Sequence, residues 1–293
     1  MKKFNIVFFV SYPEKFIENC NRQLKYYSVK LKESGILDDD RCEKIYIVYT
    51  YEKNDPASLI TELYNHPKLI LENFDVSGTG LKYDEKHKQY PNELINHPHL
   101  LPKVAEYPGI KKVHTLAANN PDTYIYYFHL KGITRNLDDK YGPMDWIEYM
   151  LYYTMENYKL DLEYLDKGYC ACGVDFLEGL RCCPFHYSGN FWWVDSNLLI
   201  KTNKEPPILG SPRLDYEFHI LECFRHYKKE KVQWISLHQS THTSNGRPHK
   251  DHVKLNYFIG FASRWQFPKK FLKPEYDLNN INLKDNIYIY SNR

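Results

Sequence analysis

Apolar positions in the first quarter of the chain follow two rhythms. "NIVFFVSY" (5–12) and "KIYIVYTY" (44–51) are unbroken β-branched and aromatic runs, the composition of strands covered on both faces. Between them Phe16, Cys20, Leu24, Tyr27 and Leu31 recur at helical spacing, and Ser34-Gly35 supplies a stop. After a further helical piece, "LILENFDV" (69–76) reads as a third short strand. Strand, helix, strand in this order predicts an α/β fold with a mostly parallel sheet. From Ser77 to about Pro102 the chain turns polar, with Gly78, Gly80 and several histidines, the pattern of a long surface excursion.

Periodicity resumes near Pro108. Ile110, Val113, Leu116 and Ala117 share one helical face until Asn-Asn-Pro stops it, and the strand "TYIYYFHL" (123–130) follows at once. In an open parallel sheet, ligands sit beyond the carboxyl ends of the strands, so His129 to Arg135 falls where a binding edge belongs. Farther on, 143–165 reads as one long amphipathic helix with Trp146, Met150, Tyr153 and Tyr158 inward. "CACGVDF" (170–176) and "HYSGNFWWVDS" (186–196) read as strands. Ser-Pro marks the start of a helix over 211–229, and "KVQWISLHQS" (231–240) reads as the final core strand.

With 293 residues and 43% hydrophobic content the chain can bury a sizeable core. Its net charge of +2 gives no global reason to bind nucleic acid or a membrane surface, so any anion site must be local. The short apolar run after Met1-Lys2-Lys3 reads as a first strand rather than a leader, and no run approaches a membrane span. Seven cysteines, an odd number, fit a reducing compartment better than a disulfide framework, which predicts a soluble, cytoplasmic protein.

Several motifs carry chemistry. Lys131 and Arg135, four residues apart across the Gly132 turn, can bracket a diphosphate, Arg with bidentate hydrogen bonds; a solvated basic loop accounts for the same residues. Ser188, Gly189 and Asn190 set small polar groups beside Phe191, Trp192 and Trp193, suited to a sugar's hydroxyls and apolar face. The alternative is a core strand, on which Phe191 and Trp193 point one way and Trp192 the other. Asp215 and Glu217 lie near a helix start, where the dipole favours the carboxylate that a general base requires, or where they serve only the helix. Cys170, Cys172, Cys182, Cys183 and His186 could supply zinc ligands, although their spacing matches no common zinc module, and His238, His242, His249 and His252 are irregularly spaced. Walker, G-x-S-x-G, Rossmann-glycine and H-E-x-x-H signatures are missing, which removes the common NTPase, hydrolase and dehydrogenase readings.

Taken in order, "EYPGIKKVHTLAANNPDTYIYYFHLKGIT", the Trp146 to Met150 helix, "HYSGNFWWV" and "RLDYEF" resemble a family of glycosyltransferases of GT-A type, related to rhamnan-synthesis-type proteins of bacteria, algae and large DNA viruses. The resemblance spans roughly residues 106 to 220 and falls on His129, Lys131, Gly132, Trp146, Ser188, Gly189, Asn190, Trp192, Arg213 and Glu217, with Leu130 departing from the family's Thr. It implies one GT-A-like domain over 1–255, with a nucleotide-binding half (1–135), a donor-sugar and acceptor half (136–255), and a wrapping segment (256–293). It implies transfer of a hexose or deoxyhexose from a nucleoside-diphosphate sugar to a glycan or other hydroxyl acceptor, with Glu217 as base and Asp215 in reserve. If the family is viral here, the setting is the host cytoplasm. Many GT-A enzymes hold Mn²⁺ or Mg²⁺ through Asp-x-Asp where this chain reads His-Leu-Lys, so the expectation is metal independence; Asp138, Asp139 and His238 are the ligands to consider otherwise. A non-catalytic, lectin-like protein using the aromatic block is the competing expectation.

Overall fold

The computed structural model describes residues 1–75, 105–137, 143–177, 185–209, 211, 213–237 and 287–292. The elements run β1 (Lys3–Tyr12), α1 (Ile17–Ser34), β2 (Cys42–Tyr51), α2 (Ala57–Leu63), β3 (Leu69–Asn73), α3 (Tyr107–Asn119), β4 (Thr123–His129), α4 (Pro143–Leu151) and α5 (Tyr158–Asp166). They continue with β5 (Ala171–Gly173), β6 (Phe176–Leu177), β7 (His186–Tyr187), β8 (Trp192–Asp195), α6 (Ser196–Lys201), α7 (Arg213–Arg225), β9 (Gln233–Ser236) and β10 (Tyr288–Ser291). The predicted excursion at 77–102 lies outside the described residues.

An eight-stranded sheet in the order β10-β9-β5-β8-β4-β1-β2-β3 forms the centre, and β6 and β7 pair separately. β1 runs parallel to β2 and β4, and β2 to β3, while β8 lies antiparallel between β4 and β5. The fold is therefore the expected mixed, mostly parallel α/β architecture. Alternation along the strands sorts side chains onto two faces. Phe4, Ile6, Phe8 and Val10 of β1 join Leu24, Tyr27, Met150 and Leu162 in one core; Val7 and Phe9 join Ile110, Val113, Ile220 and Phe224 in the other. Helices thus cover both faces, which is why β1 and β4 read as unbroken apolar runs.

The rear half departs from its predicted elements. The stretch 143–165 is not one helix, because α4 passes into a π-helical turn at Tyr152–Glu156 before α5 begins. Asn157 closes that wide turn, its backbone N–H donating to Tyr152 O at 3.2 Å and its side chain at 2.6 Å. The strand expected to run to residue 196 ends at Asp195, whose Oδ1 accepts from Leu198 N at 2.9 Å and so caps the unforeseen α6. β9 is not the last strand, since β10 pairs antiparallel along its outer side. Of segment 256–293, only 287–292 are described. Among the described residues no helix is long and apolar enough to cross a membrane.

Candidate active site at the carboxyl end of β4

The sheet changes direction between β1 and β4: β2 and β3 extend to one side of β1, and β4 starts the other. Crevices at such switch points, beyond the carboxyl ends of the strands, are where open α/β sheets hold ligands. Here α1 grips the chain as it leaves β4. Asn19, Gln23 and Tyr27 recur every four residues on one helical face. Tyr27 OH donates to His129 O at 3.2 Å, the Gln23 amide bonds both backbone groups of Lys131 at 2.6 and 2.9 Å, and Asn19 Nδ2 donates to Ile133 O at 2.7 Å and Arg135 O at 3.0 Å. Gly132 turns between them at φ +65°, and a Cβ there would lie 2.7 Å from Pro143 Cβ, so glycine is required twice over.

Four ionisable side chains converge on this edge. Lys131, expected at an exposed edge, is instead 3% exposed: its Nζ lies 3.6 Å from Glu217 Oε1 and 4.7 Å from the centre of the Trp146 ring. The cause is the Gln23 clamp, which fixes the Lys131 backbone so that its stem runs inward. His129 Nε2 sits 3.2 Å from Gly189 O and 3.5 Å from Glu106 Oε1. Glu106, itself buried, accepts through Oε2 from both Tyr127 OH, at 3.0 Å, and Asn190 Nδ2. Glu217 keeps 13% of its side chain exposed. The result is two carboxylates braced by a lysine, a histidine and an amide.

Ser188, Gly189 and Asn190 form the turn that leads into β8. Gly189 adopts φ +101° against the Trp146 ring, and Asn190, at φ +61°, takes a left-handed conformation that Asn tolerates. Ser188 is 6% exposed and its N–H donates to Asp175 O at 3.0 Å. The aromatic block is core. Phe191, Trp192 and Trp193 are at most 1% exposed, with Trp192 on the opposite face from its neighbours, and Trp192 Nε1 donates to Asn190 Oδ1 at 2.5 Å. Trp192 therefore packs in the core rather than presenting the stacking face expected of it.

Other expected residues are dispersed. Arg135 is exposed on the turn. Asp215 does not share the site of Glu217: two residues apart on a helix, they face different sides, and Asp215 lines a groove with His219 and Cys223, where burial raises its carboxyl above the ordinary range. Arg213 opens α7, its side chain outside the described set, as are Asp138, Asp139, His238 and the other histidines of that loop. Cys170 and Cys172 point to opposite faces of the sheet, and Cys182 and Cys183 lie outside the described residues. The five described cysteines are buried free thiols.

Sequence reasoning missed Glu106, Asn19 and Gln23. Glu106 opens the stretch that carries the resemblance, but a lone acid before Tyr-Pro-Gly resembles any helix start. Gln23 is the plainer signal, an amide on the apolar face of α1 that is 0% exposed and must find buried partners. Comparisons with protein-family models, with curated proteins and with solved structures return no match.

Proposed function

We propose that this chain is a nucleotide-sugar-dependent glycosyltransferase of GT-A type, with its active centre at the carboxyl end of β4. The observation that carries the reading is the nearly buried Lys131–Glu217 pair at the switch point of the sheet. A charge pair taken out of water contributes little net stability, so its presence at a ligand-binding edge is better accounted for by chemistry than by folding. The mixed sheet with both faces covered is compatible with a GT-A domain, and the ordered motifs supply the resemblance.

In this reading Glu217, the more accessible carboxylate, takes the proton of an acceptor hydroxyl as that oxygen bonds to the anomeric carbon. The bond from that carbon to the diphosphate oxygen breaks, and the diphosphate leaves with the electron pair. Lys131 faces Glu217 before the donor arrives and the diphosphate afterwards, joined there by Arg135 from the exposed turn. Glu106 positions: through His129 and Asn190 it ties the end of β4 to the 188–190 turn.

Thermal-shift measurements over UDP-, GDP- and dTDP-sugars, with and without Mn²⁺, test the reading. One nucleotide series should raise the melting temperature, because binding confined to the folded state stabilises it. No shift with any of them would overturn the assignment.

A further inference from the structure

A second cluster of reactive side chains lies on the side of α7 that carries Asp215. His114 of α3 and His219 of α7 bring their Nε2 atoms to 2.8 Å, and Cys223 Sγ lies 3.5 Å from His219 Nε2. The three ligand atoms fall within 4.8 Å of one another. None takes part in the sugar-transfer reading, and none belongs to the cysteine cluster singled out in the sequence. We propose that His114, His219 and Cys223 form a binding site for a Zn²⁺-class divalent cation.

Geometry supports this first. His219 and Cys223 are four residues apart on one helix, the spacing that puts two side chains on the same ion. Tetrahedral zinc, at ~2.0 Å to nitrogen and ~2.3 Å to sulfur, holds its ligand atoms about 3.3–3.6 Å apart. The Cys223-to-His219 separation of 3.5 Å already meets that spacing, the two imidazoles need open by only about half an ångström, and Cys223 and His114 start within 4.8 Å of each other. Both α7 ligands line a groove of about 370 Å³ whose lining also includes Lys204, Glu205, Asp215, Glu222 and His226. A fourth ligand, water or the Asp215 carboxylate one turn before His219, would come from that groove. Donor chemistry then selects the ion. Two imidazoles and a thiolate suit zinc, whereas Mg²⁺ and Mn²⁺ prefer oxygen ligands.

The proton balance is fixed by the same contacts. In the neutral pair one Nε2 donates to the other; on binding, both lone pairs turn to the ion and each ring keeps its proton on Nδ1. Cys223 gives up its thiol proton to solvent, so one proton leaves per ion bound.

Co²⁺ is the probe that reads the site directly. The full chain, stripped with chelator and titrated with Co²⁺, should bind one equivalent with tetrahedral visible bands and a thiolate-to-cobalt absorption in the near ultraviolet. It should release one proton and yield the ion to Zn²⁺. Cys223→Ser should lose the thiolate band, and His114→Gln, which leaves the sulfur in place, should weaken binding by at least ~10-fold. If the native chain shows no thiolate band at equimolar Co²⁺, the site does not exist as assigned. A band that survives in Cys223→Ser would equally overturn it, by placing the metal on other thiols.

Discussion

Glu217 and His219 stand two residues apart on α7 and look into different surroundings. On one side Glu217 meets Lys131, and behind that pair Glu106 meets His129, Tyr127 and Asn190. On the other, His219 meets His114 and Cys223, and no formal charge is needed. Burial pushes the His219 imidazole down to about 3 and that of His114 to about 4, while it raises the Cys223 thiol to about 12. Both clusters answer the cost of removing ionisable groups from water, the first by pairing charges and the second by neutralising them. The difference bears on chemistry. A paired, hydrogen-bonded set is organised in advance for proton and anion work, whereas a neutral set of lone pairs is ready to receive a cation.

The largest expected effect breaks the charged side at its reactive end. Glu217→Gln keeps the size and much of the hydrogen bonding but cannot accept a proton, so turnover should fall about 100- to 10,000-fold with donor binding retained. Turnover and melting temperature measured on one preparation decide it: a fully active variant would end the general-base role. Lys131 comes next. As an exposed residue it would be removable at no cost, but at 3% exposure its loss leaves Glu217 facing an unbalanced pocket. Breaking a fully buried pair costs roughly 3–5 kcal/mol; with Glu217 still partly in solvent, Lys131→Ala should cost about 2 kcal/mol and weaken nucleoside-diphosphate binding. The double variant Lys131→Met with Glu217→Gln should recover much of the stability that Lys131→Met alone loses, which a double-mutant cycle on those two substitutions by denaturant unfolding would register. Additive losses would mean the two side chains do not interact.

What the sequence revealed divides along similar lines. β1, β2 and β4 were legible because a strand covered on both faces needs an unbroken apolar run, and "FNIVFFV" has few other uses. The edge carrying His129, Lys131 and Gly132 was legible for the same reason, since topology places strand ends at the crevice. The inward turn of Lys131 was not: it depends on Gln23, 108 residues away in sequence. The aromatic block "FWW" misled because a sugar platform and a core strand share a composition, and only β8's place between β4 and β5 decides for packing. The break at Tyr152–Glu156 and the six-residue α6 fall below the length at which periodicity is informative. The His114, His219 and Cys223 cluster joins residues 105 positions apart, and nothing local to either stretch announces the other.

Asp161 sharpens the comparison, because it takes the second solution by itself, neutralised by a proton rather than within a cluster. It is 0% exposed in α5, and among the described residues its carboxyl oxygens find no hydrogen-bond partner. Burial holds its carboxyl well above the ordinary range. The folded chain therefore keeps a proton that the unfolded chain releases at about pH 4. A raised folded value means stability that is present at low pH and lost as pH rises, by up to ~1.4 kcal/mol per pH unit for one group. Asp161→Asn is neutral throughout and should gain about 1 kcal/mol on the native chain between pH 5 and pH 6. Parallel pH–stability curves for the two proteins would show that Asp161 ionises normally in the fold.

Arg135 should give the smallest effect, and it isolates what burial does to a cation on this edge. It lies three residues beyond the Gly132 turn and is exposed, and its backbone helps hold the segment: its N–H donates to Gly132 O and its carbonyl accepts from Asn19. Arg135→Ala should therefore leave stability within ~0.5 kcal/mol, unlike Lys131→Ala. If the guanidinium joins Lys131 at the diphosphate, its solvent-screened contribution is that of an exposed ion pair, and UDP affinity should drop about 3-fold. Salt separates this from an indirect effect. The native and variant affinities should converge as ionic strength rises from ~0.05 to ~0.5 M, because an exposed cation is screened and the buried Lys131 is not. Equal affinities at low salt would leave the diphosphate to Lys131 alone and make the exposed turn dispensable for donor binding.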